Sequence, residues 1–150
     1  MGKAKGIGKK HWFWNLIIVL TIVVVLVAFM AHYKNWTRIN PDSIEILSGI
    51  YHTELHYSEI DSVLMVPKIP SLERVNGFSA FQKEKGVFRD SLSDTEVYIY
   101  VDRLSQSKIK LVYQDSLKVF LNFADSTETA LMYQFLSNKI NPLEGETGQK

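Results

Sequence analysis

Cysteine is missing altogether from this chain of 150 residues. That excludes a disulfide framework, a thiolate metal site, a cysteine nucleophile and a lipid carried on an N-terminal cysteine. Also missing are the spacings that common catalytic devices require: there is no Gly-x-Ser-x-Gly elbow, no glycine-rich phosphate loop and no His-Glu-x-x-His. Serine, histidine and aspartate are present without an arrangement that a reaction would demand, so the sequence points away from an enzyme and calls for no cofactor. No segment repeats. Acid is absent from residues 1–38, which hold Lys3, Lys5, Lys9, Lys10, Lys34 and Arg38. The formal charge of +1 therefore hides an acidic remainder of 11 basic against 16 acidic residues, or −5. Such a domain is repelled by phosphate backbones, which disfavours a nucleic-acid partner and also docking on anionic lipid by net charge.

What the chain does have is one nearly unbroken apolar run, residues 12–31. Its β-branched content would favour a strand in water, but about twenty residues at ~1.5 Å each match the ~30 Å core of a bilayer, and only a helix lets a lone segment satisfy its own backbone there. A dozen Leu, Ile, Val and Phe side chains between Leu16 and Ala31 give an insertion balance of roughly −4 to −7 kcal/mol. Trp12, Phe13 and Trp14 flank one end, Tyr33 and Trp36 the other, as aromatic rings at headgroup level do. Lys9, Lys10, Trp12, Trp14, Tyr33 and Trp36 are accordingly the expected membrane-interface anchors, and the lipid bilayer is the first expected partner.

Four lysines precede the run while Lys34 and Arg38 follow it. The positive-inside rule then predicts a cytoplasmic N-terminus and an extracytoplasmic C-terminal domain at the inner (cytoplasmic) membrane, periplasmic in a Gram-negative cell. Phe29 stands where a cleavable signal would carry a small residue, so an uncleaved signal anchor is expected. Gly6 occupies the place where a myristoylation signal has Ser or Thr. The length leaves room for one further domain. The expected layout is a basic cytoplasmic arm at 1–11, a transmembrane helix at 12–31, a linker at 32–42, a domain at 43–140 and a flexible tail at 141–150.

Within the domain, alternation predicts strands at 43–48 and 51–57, with Tyr51, Thr53, Leu55 and Tyr57 facing the core, and another at 62–66 stopped by Pro67 and Pro70. Residues 72–90 read as loops with two short strands at 78–81 and 87–89, Asn76-Gly77 and Lys85-Gly86 being turn signals. Three β-rich segments, 96–101, 109–113 and 117–123, predict an antiparallel meander. The period then changes. Asp125 to Glu128 has capping-box spacing, and Leu131, Met132, Phe135, Leu136 and Ile140 form a helical stripe ended by Asn141-Pro142.

Tyr57-Ser58-Glu59-Ile60-Asp61-Ser62-Val63, Asn76-Gly77, Gly86-Val87-Phe88, Val97-Tyr98-Ile99-Tyr100-Val101-Asp102 and Leu121-Asn122-Phe123-Ala124-Asp125 carry a resemblance to bacterial pleckstrin-homology (PH)-like domains, often attached to membrane spans. It covers residues 39–140. It implies an α+β, mainly β, split barrel of about seven antiparallel strands capped by a C-terminal helix, used for binding or assembly. Eukaryotic PH domains that bind phosphoinositides use basic residues in the loop between the first two strands, whereas Ser48-Gly49-Ile50 has none.

His52, Glu54 and His56 alternate on one face of a predicted strand, and imidazole with carboxylate can hold zinc. Two histidines four residues apart on a strand are separated by about 13 Å, too far for one ion, which favours a solvated face. Lys83, Lys85 and Arg89, interleaved with Glu84 and Asp90, read as a solvated loop. Tyr98, Tyr100, Tyr113 and Phe120 read as core or cross-strand pairs. The expected function is a non-enzymatic single-pass membrane protein whose domain mediates protein interaction or homo-oligomerisation in a cell-envelope complex. The alternative is a membrane-tethered sensor that binds a ligand or metal near His52 or in the loops of 68–89.

Overall fold

The computed structural model describes residues 8–141. It comprises one N-terminal apolar helix, a mainly β domain of two sheets, and a C-terminal helix. The first seven residues of the expected basic arm, and the expected tail beyond Asn141, lie outside the described residues.

Helix α1 runs Gly8–Tyr33. Within it, His11–Met30 has a mean hydropathy of 2.8 and is long and apolar enough to cross a membrane, and none of this window is buried against the rest of the chain. That exposure separates α1 from the core helix of a soluble protein, whose apolar face must be covered by other elements. Thr21, the one hydroxyl inside the run, donates its Oγ1 hydrogen to the Ile17 carbonyl at 2.9 Å, so it carries no unmet donor into an apolar medium.

The stretch 32–42, expected as a linker, contributes strand β1 (Trp36–Ile39). It pairs antiparallel with β2 (Ser43–Ser48), which turns through Gly49-Ile50 into β3 (Tyr51–His56). In β3, Tyr51 and Thr53 are half-buried, Leu55 is buried, and His52, Glu54 and His56 are exposed, as the alternation predicts. A short 3-10 turn leads into β4 (Ile60–Val66).

The second sheet contains β4, β5 (Glu73–Ala80), β6 (Lys83–Asp90), β7 (Thr95–Val101), β8 (Lys108–Tyr113) and β9 (Leu117–Asn122), in the order β4-β8-β9-β7-β6-β5. Two expectations fail here. Residues 73–90 form a hairpin of two eight-residue strands, not loops with short strands. Its supposed turn signals sit in mid-strand and face each other, Gly77 opposite Gly86, beside a register shift at Arg74/Asn76. The glycines serve close approach: a Cβ on Gly77 would collide with the Lys85 carbonyl, and one on Gly86, at φ +129°, with the Asn76 carbonyl. The expected antiparallel meander is also wrong, because β7 pairs parallel to β9 while β8 lies on the other side of β9. The nine strands of the described residues thus include one parallel pair, where about seven, all antiparallel, were expected.

Helix α2 (Ser126–Ile140) is capped by Asp125, whose carboxylate accepts the Thr127 N–H at 2.8 Å. Its inner face presents Thr129, Met132 and Leu136, with Phe135 and Ile140 partly covered. Leu131, expected in the stripe, points outward.

The core lies on both faces of the larger sheet. One cluster joins Ile44, Ile46 and Leu55 of the small sheet to Tyr100, Leu111, Val119 and Leu121, with Met132 and Leu136 of α2 closing it. On the opposite face Phe88, Val97, Ile99, Val101 and Phe120 are covered by Val66, Ile69, Leu72 and Leu104. Strand β7 is therefore buried on both sides, which is why its sequence is nearly continuous in apolar and aromatic residues.

Candidate functional site

The most elaborate polar structure in the chain lies where α1 enters the domain. Asn35 is buried; its Nδ2 donates to the Tyr100 and Asn122 carbonyls at 2.7 and 2.9 Å, and its backbone N–H donates to Asp102 Oδ2 at 3.1 Å. Asn122, also fully buried, accepts the N–H groups of Asp102 and Arg103 on Oδ1 at 2.9 and 3.1 Å. Its Nδ2 donates to the Arg103 and Ser107 carbonyls at 2.8 and 3.2 Å. The crossover from β7 to β8 is thus held by one side chain at the end of β9, and the chain leaving α1 is pinned to that crossover.

Two lysines complete the joint. Lys85 is fully buried with its Nζ 2.9 Å from Asp102 Oδ1, and Lys83 stands 3.5 Å from the same oxygen. Burial pushes the Lys85 ammonium pKa down, while Asp102 pulls it back up. Lys83 reaches further, donating to the Tyr33 carbonyl and lying 4.5 Å from the centre of the Tyr33 ring. A cation on the last carbonyls of α1 is where the helix dipole favours one. Lys83 and Lys85, expected on a solvated loop, are instead part of the buried joint. Their strand side chains alternate with those of Glu84, so the charge pattern alone looked like a solvated run. Deeper in the crossover, Lys108 donates to the Pro67 and Leu104 carbonyls at 2.9 and 2.5 Å.

Of the expected membrane-interface residues, Trp12, Trp14, Tyr33 and Trp36 are all exposed. Lys34 stacks over Trp36 at 5.7 Å and pairs with Glu128 at 3.7 Å, tying the start of β1 to α2. Lys9 and Lys10 fall within α1, and their side chains lie outside the described residues.

His52, Glu54 and His56 stay on the outer face of β3. His52 Nε2 is 3.6 Å from Glu45 Oε2, whereas Glu54 accepts from Ser43 Oγ at 2.8 Å. Glu45 has its carboxyl pKa lowered first by the Asn40 side-chain hydrogen bond, with Arg38 and His52 adding to it. The structure brings together no group of three His, Cys, Asp or Glu side chains able to hold a metal among the described residues. His52 and Glu45 do line a surface hollow of about 320 Å³ with Trp36 and Arg38.

Tyr100 is buried, its hydroxyl 2.5 Å from Thr53 Oγ1, and its phenol pKa is pushed up to about 12, mainly by desolvation. It bridges the two sheets. Asn35, Asp102 and Asn122 were absent from the sequence-derived candidates. The available signal was Asp102 directly after an apolar strand and Asn122 inside another, polar positions that a two-sided buried strand tolerates only when hydrogen-bonded. Comparisons of the chain with family models, with curated proteins and with solved structures give no match.

Proposed function

We propose that this chain is a non-enzymatic, single-pass membrane protein whose domain, PH-like in architecture, mediates protein interaction or homo-oligomerisation in a cell-envelope complex. The observation that carries the reading is α1: its apolar residues are exposed along the whole window His11–Met30, and lipid is the solvent in which such a surface is stable. The lysine excess before the span supports a cytoplasmic N-terminus with the domain on the far side of the inner membrane. Two packed sheets with a C-terminal helix against them support the PH-like reading, from which the parallel β7/β9 pair departs. The buried joint at Asn35 supports a domain held at the bilayer surface rather than swinging on a linker. Confinement to a plane raises the effective concentration of the domain towards other membrane partners.

A second reading, a membrane-tethered sensor, is favoured by the hollow beside His52 and Glu45. Native mass analysis of the protein extracted from its own membranes separates the two. Oligomers or co-purifying chains are expected; a bare monomer carrying a small molecule would favour the sensor and contradict the interaction module.

A further inference from the structure

Phe81, at the tip of the β5–β6 hairpin, is completely exposed, 102%, and sits at φ +55°, a left-handed conformation that a bulky residue rarely adopts. An aromatic ring held out in water at a strained turn calls for an apolar environment. The surroundings supply its identity. Phe81 lines an apolar groove of about 260 Å³ with Phe29, Tyr33, Phe78, Ala80 and Lys83. Phe29 and Tyr33 form the last turn of α1, their ring centres 6.1 Å apart, so the groove is continuous with the lipid-facing surface of the helix. Phe29 lies about 6 Å deeper along the helix axis than Tyr33.

The same end of the domain carries other features suited to a bilayer. The register of β1 and β2 brings Leu47 opposite Trp36, so the Gly49-Ile50 turn projects towards the helix end, with Ile50 76% exposed. Beside the apolar groove, a second hollow of about 380 Å³ shares Tyr33, Phe81 and Lys83 and adds Gln82, Arg103 and Ser105. Its charged lining is Lys83 and Arg103 against Asp102, two cations to one carboxylate, which suits lipid phosphate. The opposite end holds Glu59, Asp61, Asp90, Asp94 and Asp115 around the far turns, Asp90 paired there with Lys118 and Asp94 with Arg89.

We propose that the β5–β6 hairpin is a second membrane contact: Phe81 inserts into the leaflet from which α1 emerges, an acyl chain of that leaflet fills the groove against Phe29 and Tyr33, and Lys83 and Arg103 lie at phosphate level. This rests on α1 spanning the bilayer. The hairpin and the buried joint together fix the rotation of the domain about the helix axis, so that one chosen surface faces a membrane partner.

The chain has no native thiol, which gives a direct test in the full-length protein. Phe81→Cys and Leu92→Cys are each labelled with an environment-sensitive fluorophore and reconstituted into vesicles of phosphatidylethanolamine and phosphatidylglycerol with nitroxide-bearing acyl chains. Leu92 is equally exposed, 99%, at the turn on the opposite end of β6, so it controls for the affinity of the dye itself. A blue-shifted, strongly quenched probe at 81 and a water-like, unquenched probe at 92 are expected. Equal, water-like signals from protein that resists carbonate extraction would overturn the hairpin contact and leave the span intact. Loss of the protein to the carbonate wash would overturn both.

Discussion

The Asn35 side-chain amide donates to the backbone carbonyls of both Tyr100 and Asn122, tying the first residues after α1 to the ends of two neighbouring parallel strands. Both carbonyls are internal to the domain, so these bonds form only when helix exit and sheet are correctly placed. Asn35→Ala leaves them unmet in a buried site and is expected to cost about 1–3 kcal/mol. Denaturant unfolding of the full chain in detergent micelles measures it.

Asp102 is the hinge of the charge balance in that joint. Its carboxylate stands 2.9 Å from the buried Lys85 ammonium, and Asp102→Ala should destabilise the domain by about 3–5 kcal/mol, the usual cost of breaking a buried pair from one side. In a Lys85→Met background the same substitution should cost distinctly less, since no buried ammonium is left behind. A double-mutant cycle on unfolding midpoints reads the difference.

Gly86 faces Gly77 across the β5–β6 hairpin at a backbone angle that side chains avoid. Gly86→Ala is expected to lose about 1–3 kcal/mol from strain alone. Because the hairpin lies at the edge of the sheet, protection of its amides against hydrogen exchange should fall more than that of β8 and β9.

At the far end of the domain, Asp90 accepts from Lys118 Nζ at 2.8 Å, and this bond, with the Leu92 N–H, holds its carboxyl pKa at about 2 against an ordinary 3.8. A depressed carboxylate stabilises the fold fully above its unfolded value and ceases to do so as pH falls through the folded one. Melting temperature should therefore drop between 3.8 and about 2, and Asp90→Asn should flatten that part of the profile while lowering stability at neutral pH.

The sequence made some of this legible and hid the rest for physical reasons. The long apolar helix, the β2–β3 alternation and the capped α2 are local patterns of period and length, and the structure forms each of them. Strand order is not local: 96–101, 109–113 and 117–123 have the same alternation whether β8 or β9 lies beside β7. Asn76-Gly77 and Lys85-Gly86 looked like turns because glycine marks both turns and close strand approach, and only the partner strand distinguishes them. The joint was hidden for the same reason, as Asn35, Lys85, Asp102 and Asn122 lie far apart in sequence.

The central claim, a membrane-anchored domain on the outer side of the inner membrane, is tested most directly by one engineered thiol. Ser91→Cys places the only cysteine of the chain on an exposed turn remote from α1. A membrane-impermeant maleimide that crosses the outer envelope but not the inner membrane is applied to intact cells. The account predicts labelling before lysis and retention of the labelled chain in carbonate-washed membranes; labelling only after lysis would contradict it.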